Sequence, residues 1–455
     1  MSLAADSPVH SSSSDDLAAF LDAELDAISD ASADIQEVAE EEENIDDVEE
    51  GDFESKFDRA KRRKVESYEN VADLPSSSSQ GSSPKTNKCL HPGVYAGMCM
   101  KCGIKMDDES GVAFGYIHKN LRLANDEISR LREKDLKKLL HHKKLYLVLD
   151  LDHTLLNSTR LVDVTVEEGY LVDQRDALPD TLKRDLFRLE SMQMMTKLRP
   201  FIHTFLKSAS DMFEMYIYTM GERPYALEMA KLLDPGDVYF NSRIIAQGDC
   251  TQRHQKGLDI VLGQESAVLI LDDTEAVWKK HNENLILMER YHFFASSSKH
   301  FGFNCKSLSE LRSDESESDG ALTTVLRVLL RIHSLFFDPG RDDNLVDRDV
   351  RQVLKRVREE VLMGCKVVFS RVFPTNFQAE QHHLWKMAMQ LGATCSMELD
   401  SSVTHVVSLD AGTDKSRWAV QEKKFLVHPR WIEASNYLWK KQPEENFPVS
   451  LSNNK

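Results

Sequence analysis

Short apolar runs alternate with amphipathic stretches through the middle of this chain. The runs 145–152 (LYLVLDLD), 213–220 (FEMYIYTM) and 266–273 (SAVLILDD) have the length and composition of buried strands. Segments 199–210 and 223–234 between them carry helical spacing. Strands alternating with helices predict an α/β fold with a parallel sheet. A charged helix is expected over 118–144 and a linker over 313–320 (SDESESDG), followed by a helical stretch over 321–361. A second pattern begins near 362. Strands are expected at 364–370, 393–399, 403–409 and 425–429, and helices at 377–392, 415–424 and 429–441. The earlier part of the chain differs. One segment, 16–28, places Leu17, Phe20, Leu21, Leu25 and Ile28 on a single helical face, and the rest of 1–88 is Ser-, Asp- and Glu-rich with a SSSSQGSSP stretch. Such composition predicts disorder.

The organisation expected is therefore a tail (1–88), a Cys/His segment (89–117), a catalytic α/β domain (118–312), a linker with bridging helices (313–361) and a small α/β domain (362–450). Charge sharpens it. The chain of 455 residues carries a net −18. Residues 1–55 hold nineteen Asp or Glu and no Lys or Arg, so the remainder is close to neutral. Acidity belongs to the tail, where the amphipathic segment suits docking on a basic partner. Residues 59–64 (RAKRRK) read as a nuclear import signal. No apolar run approaches the ~18 residues that a membrane span requires, and the start of the chain lacks the apolar core of a secretion signal. Seven scattered cysteines suit a reducing compartment.

All three central strands end in reactive side chains: Asp150, Asp152 and Thr154 on the first, Thr219 on the second, Asp272 and Asp273 on the third. Parallel strands would bring these ends to one sheet edge, where open α/β sheets bind ligands. Four converging carboxylates repel unless a cation sits among them. An all-oxygen set favours Mg²⁺. By strand alternation, Asp150 and Asp152 would share one face.

DLDHTLLN (150–157), YTMGERPYA (218–226), NSRI (241–244) and LDDTEAVW (271–278) together resemble the motifs of the haloacid dehalogenase superfamily, and more narrowly the FCP-type phosphatases of the RNA polymerase II C-terminal domain. RIHSLFF (331–337) and 349–370 resemble the plant subgroup of those proteins. The resemblance implies a HAD-like catalytic domain and a Mg²⁺-dependent phosphatase, Mn²⁺ or Co²⁺ being possible replacements, acting on phosphoserine in the nucleus. Asp150 would be the nucleophile and Asp152 the acid and base. Thr219 would donate to a phosphoryl oxygen, and Lys256 would hold another, with Arg253 as its competitor. Asp150, the Asp152 carbonyl, Asp272 and Asp273 would serve the metal. Thr154 and Arg243 would assist substrate binding. Phosphate monoesters hydrolyse slowly enough that accelerations approach ~10²¹-fold, and acid–base catalysis supplies only ~10²–10⁴ of that. A covalent step, a metal and positioning must supply the rest.

Residues 362–450 resemble a BRCT domain, with Gly392 and Trp431 among the supporting residues and Trp431 expected in the core. The resemblance places a phosphate pocket at Ser370 and Lys415, although Arg371 stands where phosphate-binding members usually have glycine. In CLHPGVYAGMCMKCG (89–103), Cys99 and Cys102 form a good zinc half-site, which Cys89 or His91 could complete. The partners expected are the phosphorylated polymerase tail and general transcription factors at the acidic segment, with no membrane and no sequence-specific nucleic acid. Two other readings share these residues. A small-molecule phosphatase would carry a larger cap than the about 40 residues between Asn157 and Leu198. A non-catalytic adaptor would not need the full acid set.

Overall fold

The computed structural model describes residues 89–106, 111–173, 180–302, 305–340, 344–374 and 377–451. The acidic tail, its amphipathic segment and the basic cluster at 59–64 lie outside the described residues. Strands β1 (Gly93–Tyr95), β2 (Met98–Cys99), β3 (Val112–Ala113) and β4 (Leu121–Leu123) make a small antiparallel sheet in the order β2-β1-β4-β3. Helix α1 (Asn125–His141) follows. The helix expected from 118 thus starts later. Leu121 and Leu123 are buried on either side of the half-buried Arg122, a strand's alternation, and they pair with β1.

Strand β5 (Leu145–Leu149) is buried at all five positions. An insertion comes next, with β6 (Leu156–Arg160), β7 (Leu186–Leu189) and β8 (Met194–Leu198) paired antiparallel in the order β6-β8-β7. The chain then returns through α2 (Ile202–Ser210), β9 (Phe213–Tyr218), α3 (Arg223–Leu233), β10 (Ile244–Ile245), β11 (Val268–Asp272) and β12 (Leu285–Leu287). The central sheet runs β10-β9-β5-β11-β12, and every pairing is parallel. Its strands are almost wholly apolar because both faces are covered.

Helices α4 (Ala321–Phe336) and α5 (Val350–Glu359) do more than bridge. Val325, Leu329, Ile332, Val353 and Leu354 belong to the same apolar cluster as Leu145, Leu147 and Phe205. The 313–320 segment is no free linker either. Asp314 pairs with the buried Lys197 at 2.9 Å, and Glu315 with the buried Arg199 at 2.7 Å.

The last region contains β13 (Lys366–Ser370), α6 (His383–Gln390), β14 (Thr394–Ser396), β15 (His405–Ser408), α7 (Asp414–Gln421), β16 (Phe425–Val427) and α8 (Arg430–Tyr437). Its parallel sheet runs β14-β13-β15-β16. Trp431 is fully buried and donates to the Gln442 carbonyl at 2.9 Å. Gly392 has φ +89°, and a Cβ there would lie 1.8 Å from the Glu359 carbonyl oxygen, so only glycine fits.

Candidate active site

Strand β5 ends at Leu149, Asp150 N still donates to the Leu271 carbonyl of β11 at 3.0 Å, and Asp152 stands in the loop beyond. Turn bonds from Thr154 N and Leu155 N to the Leu151 carbonyl close that loop, and His153 takes φ +64° within it. The ladder bond at Asp150 and this turn together set where the two aspartates lie. Both border one cleft of about 400 Å³ at the carboxyl ends of β5, β9 and β11, with Thr219, Lys256, Asp272 and Asp273 in the same lining.

Lys256 enters from the loop between β10 and β11. Its Nζ lies 2.6 Å from Asp150 Oδ1 and 2.6 Å from Asp272 Oδ2. Asp272 also accepts from Trp278 Nε1 at 2.8 Å and Thr274 N at 2.8 Å. Carboxylate oxygens of Asp150, Asp272 and Asp273 lie within 4.8 Å of one another. Burial and the Asp272 carboxylate push Asp150 well above the usual carboxylate range, against the pull of Lys256. Burial opposes the charge on Lys256, but Asp150 and Asp272 outweigh it and hold its ammonium above the ordinary lysine value. Three carboxylates converge there on one ammonium, so negative charge is in surplus. An oxygen-only donor set with surplus negative charge fits Mg²⁺.

Asp152 has its own set of partners. Tyr225 Oη donates to its Oδ1 at 2.6 Å, and Thr219 Oγ1 reaches its Oδ2 at 3.4 Å. Burial raises Asp152, and the tyrosine bond works against that rise. Thr219 Oγ1 also accepts from Gly221 N at 2.9 Å.

Two residues expected at the substrate lie elsewhere. Thr154 is fully buried. Its Oγ1 accepts from Asp273 N at 3.1 Å, so it fixes Asp273 from behind. Arg243 turns away from the cleft because its guanidinium serves the Met215 and Tyr239 carbonyls and pairs with Glu214 at 3.1 Å. Sequence reasoning assigned no role to Tyr225 or Trp278, although both fall inside the quoted motifs. Arg290 carried no local signal. Its Nε meets Asp273 Oδ2 at 2.5 Å, and its guanidinium lies over the Phe301 ring.

The loop carrying Lys256 is braced from the N-terminal side. Tyr116 Oη donates to the Ile260 carbonyl at 2.9 Å, and Arg132 donates to the carbonyls of Leu258, Asp259 and Val261. Around the β1–β2 hairpin, the ligand atoms of Cys89, His91, Cys99 and Cys102 lie within 4.8 Å of one another. Gly103, at φ +70°, closes the Cys99–Cys102 turn, and Lys101 N points to Cys99 Sγ at 3.4 Å. Burial pushes the Cys99 thiol up; hydrogen bonds with His91 and with the backbone of Cys102 and Lys101 outweigh it and bring the thiol down to about 6.

At the end of β13, Ser370 Oγ lies 2.8 Å from Thr413 Oγ1, and Lys415 Nζ donates to the Phe369 and Met397 carbonyls. Arg371 adopts φ +50° and pairs with Asp410 at 2.9 Å. Glycine would take that backbone conformation without strain.

A family model described as NLI interacting factor-like phosphatase matches residues 145–318, and one described as a twin BRCT domain matches 371–431. A solved structure entitled "The Structure of Fcp1, an essential RNA polymerase II CTD phosphatase" superposes with TM-score 0.56 at 25% identity, over 70% of this chain and all of that one. Sheet, loops and cleft therefore define a phosphatase of the haloacid-dehalogenase type with a BRCT region. Over 98% of its length the chain is 60% identical to RNA polymerase II C-terminal domain phosphatase-like 4 of Arabidopsis thaliana, covering 97% of that protein. It is 41% identical over 73% of its length to RNA polymerase II C-terminal domain phosphatase-like 3 of the same plant, covering 27% of that longer protein. The chain belongs to the family of RNA polymerase II C-terminal domain phosphatases.

Proposed function

We propose that this phosphatase removes phosphate from serine in the heptad-repeat tail of RNA polymerase II, in the nucleus, and so regulates transcription. The observation that carries the reading is the convergence of Asp150, Asp152, Lys256, Asp272 and Asp273 on one cleft, in a chain 60% identical to a relative named for that substrate. Asp150 attacks phosphorus and forms an aspartyl-phosphate, while the P–O bond to serine breaks and Asp152 delivers its proton to the leaving oxygen. Asp152 then takes a proton from the water that attacks the acyl-phosphate, releasing inorganic phosphate and regenerating Asp150. Tyr225 orients Asp152, Lys256 holds a phosphoryl oxygen, and Thr219 donates to another once it leaves Asp152. Bound among Asp150, Asp272, Asp273 and the Asp152 carbonyl, Mg²⁺, or Mn²⁺ or Co²⁺ in its place, would supply positive charge against the phosphoryl oxygens.

Zn²⁺ is the metal that fits Cys89, His91, Cys99 and Cys102, two nearby sulfurs on a CxxC turn being a good half-site. Metal analysis of the purified protein and of Cys99→Ser tests it, and wild type without zinc ends it. The BRCT region would dock phosphorylated partners by exchanging the internal contacts of Ser370 and Lys415 for phosphate oxygens; unchanged phosphopeptide affinity in Lys415→Met ends that reading. The acidic tail would meet basic surfaces of transcription factors.

Phosphate release from a phosphoserine heptad peptide, with Mg²⁺ and then with chelator, tests the main reading. The expected result is release that stops on chelation. Activity on sugar phosphates with none on the peptide would overturn it.

A further inference from the structure

Residues 313–320 read as a linker, yet two of their carboxylates face inward. Glu315 accepts from Arg199 Nε at 2.9 Å and Nη2 at 2.7 Å, and the Arg199 side chain is fully buried. The same guanidinium donates from Nη1 to the Thr154 carbonyl at 3.0 Å and from Nη2 to the Glu289 carbonyl at 3.0 Å. Thr154 ends the turn that carries Asp150 and Asp152. Glu289 precedes Arg290, which holds Asp273. One buried cation thus ties together the two loops that frame the acid cleft. A guanidinium removed from water without a counterion is strongly unfavourable, and a bidentate carboxylate is its best match. The segment then runs directly into α4, where Gly320 N bonds to the Ser316 carbonyl at 2.8 Å.

We propose that Glu315 is a positioning residue of this phosphatase, holding Arg199 so that the Thr154 turn and the Glu289–Arg290 segment keep the spacing of the cleft. Asp314 works in parallel: it accepts from Tyr291 Oη at 2.8 Å, and Tyr291 N donates to the His153 carbonyl at 2.8 Å. The proposal rests on the reading of that cleft as the catalytic one, and its consequence is specific. A strap anchored on α4 sets the geometry of carboxylates it never touches.

The test uses the full-length protein and a phosphoserine heptad peptide, with kcat, KM, the Mg²⁺ concentration for half-maximal rate and the melting temperature measured for each variant. Glu315→Gln keeps shape and removes charge. It is expected to lower kcat by about tenfold to a hundredfold, the scale of a small misplacement of reacting groups, with KM within about twofold and a several-fold higher Mg²⁺ requirement. Glu315→Asp recovers part of kcat. Glu289→Gln, which alters a side chain beside Arg199 but leaves the carbonyl that Arg199 uses, stays within about twofold of wild type. A Glu315→Gln protein with wild-type kcat overturns the proposal, as does a loss that only follows the folded fraction. Asp150→Asn in the same assay judges the cleft separately: full turnover there sinks the catalytic reading whatever Glu315 does.

Discussion

The acid cleft and the Cys/His cluster are both groups of candidate metal ligands, and they are built on opposite principles. In the cleft the donors are oxygens, and the acids arrive in two pairs, Asp150 with Asp152 and Asp272 with Asp273, from the ends of two neighbouring strands of a parallel sheet. Burial and the neighbouring Asp272 push Asp150 up, and Lys256 offsets them only in part. The cluster draws on sulfur and nitrogen from residues thirteen positions apart at most, around a short hairpin, with the Cys99 thiol held down to about 6. The first arrangement keeps reactive charge in tension beside open space. The second is local, drawn from one short stretch of chain, which suits the structural zinc proposed for it.

Asp150→Asn breaks the comparison most sharply. Turnover should fall by at least about 10³-fold, while zinc content and melting temperature stay as in wild type. Full turnover would deny the cleft its nucleophile. Lys256→Met should cost about 10²–10³ in kcat, the scale of losing one preorganised charge partner, because Asp150 and Asp272 then face each other without their shared cation. On the other side, Cys99→Ser should abolish zinc binding and lower kcat only several-fold, through the Tyr116 and Arg132 contacts to the Lys256 loop. A loss as deep as that of Asp150→Asn would erase the distinction between the two sites. The smallest effect concerns a histidine packed behind the cleft, against the rings of His153 and Phe301. Burial, with help from His153, Arg290 and Arg199, lowers His292 to about 4. Between the unfolded value near 6.5 and about 4, the unfolded chain binds a proton that the folded chain refuses, so stability declines as pH falls through that window. His292→Gln should flatten this part of the melting-temperature profile, and an unchanged slope would remove the histidine as its source.

Much of this was legible because it is local. The apolar runs before Asp150, Thr219 and Asp272 announce buried strands, and the loaded residues at their ends announce an edge. Gly392 likewise marks a backbone contact that any side chain would block. What escaped depends on distant partners. Arg243 looks available in NSRI until Glu214 and two carbonyls claim it. Thr154 reads as a substrate contact, but its hydroxyl serves Asp273 from 119 residues away. Arg290 and Glu315 sit in unremarkable charged stretches. Their roles arise when the fold brings buried countercharges to them. The 313–320 run has the composition of a linker, and two buried cations turn it into part of the core.

The brace on the Lys256 loop also bears on the order in which this enzyme assembles. Arg132 grips a carbonyl 129 residues later in the chain. The carboxylates gather where β5 and β11 pair, and the register of that pairing involves no residue before 145. The lysine's frame also requires Tyr116 and α1, segments that leave the ribosome early and must wait for their target. A chain shorn of its N-terminal module would thus keep every acid of the cleft and lose the outer hold on the loop that brings in their cation. It would be a sheet with its charges in place and its lysine poorly held.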